Sequence, residues 1–213
     1  MEFLKKIEEL RKINKKRNFV QTAEVQISLK GLDLNKVENR IEELIVLPHG
    51  IGKKRKICAF VGPERYEEAK KIFDKAILID EFSQYDKKKA KKLREEYDFF
   101  VAQANIMPQV AKTFGRFLGP LGKMPSPKLG QLFSPKGGKL EDLYNKLQNS
   151  IVVSVKKTPL IYAPFGNEEM DNNKLAENLE TIWNSVIQKL PNKEGNIKNA
   201  YIKFTMSKAI KIK

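Results

Sequence analysis

Residues 57–63 read ICAFVGP: five apolar side chains in unbroken succession, closed by Gly62-Pro63. A strand with one face in water alternates apolar and polar residues, so an unbroken run marks a strand buried on both faces. A helical pattern follows through Phe73, then a strand at 76–79, a lysine-laden helix around 84–97 and a strand at 99–102. A helix from about Pro108 to Leu118, a Gly/Pro-dense loop at 119–138 and a helix near 139–149 complete the segment. Buried strands alternating with helices predict a parallel sheet covered on both sides, a three-layer Rossmann-like α/β domain.

The character changes outward in both directions. Upstream, Phe3, Ile7 and Leu10 fall on one helical stripe. From Phe19 to Leu29, Ala23, Val25, Ile27 and Leu29 alternate with Thr22, Glu24, Gln26 and Ser28, which predicts a half-buried strand. A further strand at 44–47 stops at Pro48-His49-Gly50. Downstream, Ile151–Val155 and Leu160–Ala163 are expected to pair around Lys157-Thr158-Pro159. A helix capped by Asp171 or Asn172 turns Leu175, Leu179, Ile182, Trp183 and Val186 inward, and 200–213 reads as a hairpin turning at Met206-Ser207. The two ends are alike in kind, so the expected fold class is α/β: an α+β domain from residues 1–61 and 151–213, with the Rossmann-like domain, 62–150, inserted into it. An exposed loop tip tolerates such an insertion.

Composition narrows the function. Among 213 residues, 41 Lys and Arg oppose 26 Asp and Glu, a net charge of +15. An excess of one sign repels itself unless a polyanion is the usual partner, and phosphate backbones supply that partner. Residues 62–150 hold 17 basic and 12 acidic side chains, a net of +5, and the rest hold 24 and 14, a net of +10. On that division the two-ended domain is the expected RNA platform. No apolar run approaches the roughly 20 residues of a membrane-spanning helix, and the single cysteine, Cys58, excludes an internal disulfide. These features predict a cytoplasmic protein.

Chemistry-bearing motifs are sparse. HGIGK (49–53) and GPLGK (119–123) resemble phosphate loops. A P-loop, however, needs Gly, four residues and Gly-Lys-Ser/Thr; Leu47 and Phe117 stand where the first glycine belongs, and Lys54 and Met124 follow the lysines. Cys58, within Ile-Cys-Ala-Phe, reads as a small buried hydrophobe, and lone His49 as a turn residue. No catalytic residue, metal site or cofactor is expected. The run Lys87-Lys88-Lys89 with Lys91 and Lys92 reads as a solvated helix face able to touch phosphates. By pattern alone Phe19, Thr22 and Glu24 are ordinary strand positions and Thr205, Met206 and Ser207 ordinary turn positions, although such hydroxyls and carboxylates can bond ribose 2′-OH and a Phe or Met can pack on a base.

The blocks RNFVQTAEVQISLKGLD (17–33), ENRIEELIVLPHGIGK (38–53), GRFLGPLGKMPSPKLG (115–130) and AYIKFTMSKAIKIK (200–213), with GNEEM (166–170) before the LAENLETIW helix, resemble the first large-subunit ribosomal protein family. The short N-terminus and RNF start look like its archaeal and eukaryotic branch. The resemblance covers essentially the whole chain and implies an inserted domain on a hinge, here near 61–62 and 150–151. It implies binding of a helix junction in large-subunit ribosomal RNA, as the mobile stalk near the transfer-RNA exit site. It also implies contact with that transfer RNA, and repression of the protein's own messenger RNA through a mimic of the ribosomal site. A monomer when free is expected. The RNA contacts it implies map to Phe19, Thr22, Glu24, Thr205 and Met206, with Ser207 completing the turn and Gly166 and Asn167 more weakly carried over. Ser207 stands where the family has glycine, and Leu121 where it commonly has arginine. Two other readings are a nucleotide- or phospho-ligand-binding α/β enzyme using the inserted domain, and a DNA-packing protein indifferent to the sugar.

Overall fold

A computed structural model describes residues 2–213, and of Glu2 and Val37 the backbone alone. In chain order the elements are α1 (Glu2–Ile13), β1 (Thr22–Leu29), β2 (Ile41–Val46), β3 (Ile57–Val61), α2 (Tyr66–Ile72), β4 (Lys75–Leu78), α3 (Lys87–Glu96) and β5 (Phe99–Gln103). There follow α4 (Met107–Leu118), β6 (Leu132–Phe133), α5 (Leu140–Gln148), β7 (Ser150–Val155), β8 (Leu160–Asn167), α6 (Asn172–Lys189), β9 (Ile197–Phe204) and β10 (Ile210–Lys211).

The chain divides into two units, one from residues 1–53 and 149–213, the other from 54–148. In the first, an antiparallel sheet runs β10-β9-β1-β8. The alternation in β1 is realised: Ala23, Val25, Ile27 and Leu29 are buried while Thr22, Glu24, Gln26 and Ser28 are not. Ile7 and Leu10 of α1 and Leu175, Leu179, Ile182 and Val186 of α6 share one core with that buried face, so both helices lie on the same side of the sheet. Trp183 is only half-buried, with Phe3 against it edge-on at 5.7 Å. The other face of the sheet is left open.

Two expectations about this unit are corrected. The segments around 151–155 and 160–163 do not form a hairpin ladder. Instead β7 pairs with β2, from Ile41↔Val155 to Val46↔Ser150, and β8 pairs with β1. Both segments are amphipathic, and periodicity identifies a strand without identifying its neighbour. The first strand also starts at Thr22 rather than Phe19, since residues 19–21 form an irregular approach to it.

In the second unit, four strands in the order β4-β3-β5-β6 are parallel. β3, the ICAFV run, is buried at every residue because it lies between β4 and β5. Phe60 packs against Phe114 of α4 with ring centroids 4.7 Å apart, and against Phe82 and Phe100. Ala90 and Leu93 of α3 join that core, while Phe73 and Tyr144, following α2 and within α5, meet edge-on elsewhere in the unit.

Because β3 is internal to this sheet, the division falls at 53/54 and 148/149 rather than at 61/62 and 150/151. That move overturns the charge comparison. Residues 54–148 carry 20 basic and 12 acidic residues, a net of +8, leaving 21 and 14, a net of +7, for the other unit. Net charge therefore does not choose the RNA platform.

Candidate nucleic-acid interface

β1 is flanked by β9 on one side and β8 on the other, which brings three distant stretches to one end of the open sheet. Thr22 lies opposite Asn167 on β8, and Ala23 opposite Phe204 on β9. One residue past β9, Thr205 continues the pairing: its N–H donates to Thr22 O, and its Oγ1 accepts from Thr22 N, each at 3.1 Å. Met206 follows with its side chain 58% exposed, and Phe19, on the approach to β1, is 49% exposed. Val20 beside it is equally open at 47%. Exposed apolar side chains of this size next to Lys15, Lys16 and Arg17 suit the ribose and base surfaces of RNA, with lysines for the phosphates.

Ser207 fits the turn without glycine's freedom. Lys193 is the one non-glycine residue of positive φ among those described, so Ser207 keeps an ordinary backbone. Its Oγ accepts from Phe204 N at 2.9 Å, and its own N–H donates to Phe204 O at 3.0 Å, closing the turn from within. Glu24, two residues along the open face, lies between Lys203 and Pro164 in register. Farther along, Gln26 lies between Tyr162 and Tyr201, and Tyr162 is exposed.

Gly166 and Asn167 are placed differently. Gly166 is buried, and a Cβ there would collide with Leu175 Cδ2. Asn167 Oδ1 accepts from the N–H groups of Glu169 and Met170, and its Nδ2 donates to Gly52 O at 3.0 Å. Gly166 lets α6 approach the sheet and Asn167 ties the loop, so the exposed end consists of Phe19, Thr22, Thr205, Met206 and Ser207, with Glu24 behind.

Sequence reasoning missed the support beneath this end. Gln21 is fully buried. Its backbone N–H donates to Glu168 Oε1 at 3.0 Å, its Nε2 to Glu168 Oε2 at 3.0 Å, and Glu168 N donates to Gln21 O at 2.9 Å. Arg11 Nη1 donates to Glu168 O at 2.7 Å, and the same guanidinium bonds Asn172 and Met170 O while lying over Phe204. The missed signal was phase: position 21 falls in the buried register of 23, 25, 27 and 29, where a polar residue has to find partners.

The glycine-lysine loops have structural uses. Gly50 and Gly52 take φ of 58° and 70°, and buried Asn178 donates to Gly50 O at 2.7 Å and accepts from His49 N. The His49 ring bonds Glu177. Lys123 Nζ donates to Arg94 O and Tyr97 O, both at 2.7 Å, closing the C-terminal end of α3, and burial holds its amine below the usual lysine range. A nucleotide on a doubly wound sheet would sit at the carboxyl ends of β3 and β5, where strand order reverses. There Gln103 Oε1 accepts from Gly62 N at 2.9 Å, and its Nε2 donates to Glu64 at 3.1 Å. That hydrogen bond holds the Glu64 carboxyl below its ordinary range, which places a negative charge where a phosphate would dock.

No described helix is long and apolar enough to cross a membrane, and the described residues contain no His/Cys/Asp/Glu group spaced to hold a metal. Cys58 is a free, buried thiol.

A basic chain of two α/β units, with hydroxyls and exposed apolar side chains gathered at one end of an open sheet, has the features of an RNA-binding protein. Residues 8–208 match the Ribosomal protein L1p/L10e family, and the chain belongs to it, a family of ribosomal proteins rather than enzymes. It is 44% identical over 201 residues to the large ribosomal subunit protein uL1 of Nanoarchaeum equitans, covering 93% of each chain. To the protein of that name from Thermococcus kodakarensis it is 41% identical over 93% of this chain and 90% of the other. To that of Methanothermobacter thermautotrophicus it is 39% identical over the whole of this chain and 97% of the other.

Proposed function

We propose that this protein is a constituent of the large ribosomal subunit, where its two-ended unit binds ribosomal RNA and the unit of residues 54–148 forms the Rossmann-like insertion of the mobile stalk. One observation carries the choice of site: Phe19, Thr22, Thr205, Met206 and Ser207 meet at one exposed end of a sheet, where a hydrogen bond joins Thr22 to Thr205, 183 residues on. A rigid edge of hydroxyls and carbonyls with apolar side chains beside it recognises RNA by shape and 2′-OH groups.

The same surface serves the protein's own messenger RNA if that message folds to resemble the ribosomal junction, and occupancy by one RNA then excludes the other. The transfer RNA at the exit site is a separate partner, suited to the exposed face of α3. There Lys87, Lys88, Lys91 and Lys92 have no acidic partner among the described residues. Such a face holds phosphates without reading bases.

The test is binding to an RNA fragment carrying the stalk junction and to a scrambled duplex, at low and high salt. A preference for the junction that persists at high salt is expected, because counterion release affects both ligands alike while shape-specific contacts do not fade with salt. Equal, steeply salt-dependent binding to both would remove the site and leave only a basic protein. Competition by the protein's own message for the junction fragment tests the regulatory part.

A further inference from the structure

Gln21 decides what chemistry the recognition turn offers. Every backbone donor of residues 205–207 is used inside the protein. The N–H groups of Thr205 and Ser207 donate to Thr22 O and Phe204 O. The Thr205 hydroxyl lies 3.4 Å from Thr22 O, and the Ser207 hydroxyl 3.0 Å from Lys208 O. The remaining donor, Met206 N–H, sits in the middle of the turn and donates to Gln21 Oε1 at 3.0 Å. Among the described residues no protein donor reaches the carbonyls of Thr205 and Met206. The exposed turn is thus a line of backbone acceptors with every N–H turned inward.

An amide side chain has two ends, and here its neighbours choose between them. Gln21 Nε2 is surrounded by acceptors: Asn14 Oδ1 at 3.0 Å, Lys15 O at 3.2 Å and Glu168 Oε2 at 3.0 Å. Reversing the amide would set its oxygen among these acceptors and its NH2 group against Met206 N–H. Glu168 has no freedom to adjust, because its other oxygen accepts from Gln21 N and its backbone is held by Arg11 and Gln21. Gln21 is buried from water, where an unmade hydrogen bond is costly.

We infer that Gln21 and Glu168 are positioning residues that hold the 205–207 turn with only its carbonyls free along the backbone edge, so that it selects ligands bearing ribose 2′-OH donors and rejects their 2′-deoxy counterparts. A ribose hydroxyl donates to such an edge; deoxyribose has nothing to donate there. This rests on the reading that the turn is the RNA contact.

The informative variant is Glu168→Gln, which keeps size and shape. With one oxygen replaced by NH2, a donor must meet Gln21 N, or Gln21 Nε2 and Asn14 Nδ2. The conflict with Gln21 Nε2 is relieved by turning the Gln21 amide over, which removes the acceptor from Met206. Affinity is measured for the stalk-junction RNA and for its fully 2′-deoxy counterpart, with thermal unfolding alongside. In Glu168→Gln, and in Gln21→Met as the second variant, the ratio of the two affinities is expected to fall about tenfold, the effect of one hydrogen bond to a charged or buried group. Binding of a scrambled duplex at low salt should stay unchanged. A ratio equal to wild type in both variants, with Met206→Ala still weakening the RNA complex, would overturn the inference and leave the network a fold support. If Met206→Ala and Thr205→Ala bind the junction as tightly as wild type, the site itself is wrong.

Discussion

Thr22 and Thr205 complete each other: the backbone N–H of Thr22 donates to the hydroxyl of Thr205, and the N–H of Thr205 returns to the carbonyl of Thr22, each at 3.1 Å. The hydroxyl does the work of a ladder carbonyl just where β9 ends, so one side chain both closes the sheet and shapes the exposed turn. Thr205→Val keeps the volume and deletes the oxygen. It should cost about 1 kcal/mol of stability, and roughly 1–3 kcal/mol of junction-RNA affinity because the turn loses its anchor. Thr205→Ser should restore both. Isothermal binding and urea unfolding of the three proteins decide it, and a valine variant with wild-type affinity would exclude the turn from recognition.

Met206 should separate affinity from stability. Its side chain stands open to solvent, so Met206→Ala removes little that the fold uses, and stability should stay within about 0.5 kcal/mol of wild type. Affinity for the junction fragment should nonetheless fall by roughly 1–3 kcal/mol, the transfer free energy of an apolar side chain that RNA would cover. A drop in melting temperature that accounts for the weaker binding would mark Met206 as structural.

What could be read from sequence follows physical rules of short range. The alternation of Ala23, Val25, Ile27 and Leu29 and the unbroken ICAFV run announced a half-open sheet and a buried parallel one, because burial writes itself into the pattern of a single strand. Which strands pair is a long-range property: β7 and β8, adjacent in sequence, went to different sheets. At the proposed site, Phe19, Thr22, Thr205 and Met206 occupy ordinary strand and turn positions that the family resemblance, not their pattern, singles out, and the dependence of Met206 on Gln21 was not legible. That bond joins residues 185 positions apart, and only the buried phase of a polar residue hinted at it. Gly166 and Asn167 are marked by the same resemblance, and their visible work lies in packing and loop closure.

The lysines of α3 should act through charge alone. Lys88 and Lys91 lie exposed with no acidic partner among the described residues. Replacing both with glutamine should flatten the dependence of log K on log salt by roughly 0.9 for each phosphate contact removed on duplex-like RNA. The preference for junction over scrambled RNA should survive. Its disappearance would place sequence reading on α3 and contradict the division of labour between the units.

Lys123 should matter to the fold of the unit of residues 54–148 rather than to a ligand. Its ammonium reaches Arg94 O and Tyr97 O, the carbonyls a helix leaves without partners at its C-terminal end. Lys123→Met keeps the stem and removes the donors, so the unit should lose about 1–3 kcal/mol. Hydrogen exchange is expected to quicken at the end of α3. Junction-RNA affinity should be unchanged; a selective fall in RNA binding with wild-type stability would make the GPLGK loop a phosphate-binding element after all.

Cys58 should report the opening of the same unit. It is fully buried in β3, and burial pushes its thiol well above the ordinary value of 9.0. The folded thiol therefore stays protonated at pH values where the unfolded thiol has ionised. The unfolded state then binds fewer protons than the native one, and the linkage relation makes stability fall as pH rises above about 9, by at most about 1.4 kcal/mol per pH unit from this one group. Below that value both states hold the proton and the contribution is flat. Cys58→Ala should remove this part of the alkaline decline, which chemical denaturation at about pH 8 and about pH 10, on either side of the unfolded thiol's titration, would show as a smaller loss than in wild type. Reaction of the wild-type thiol with an aromatic disulfide should proceed only as fast as the unit opens, and therefore speed up with urea. Prompt reaction of the folded protein, or equal alkaline slopes in the two proteins, would mean that β3 is not sealed between its neighbours.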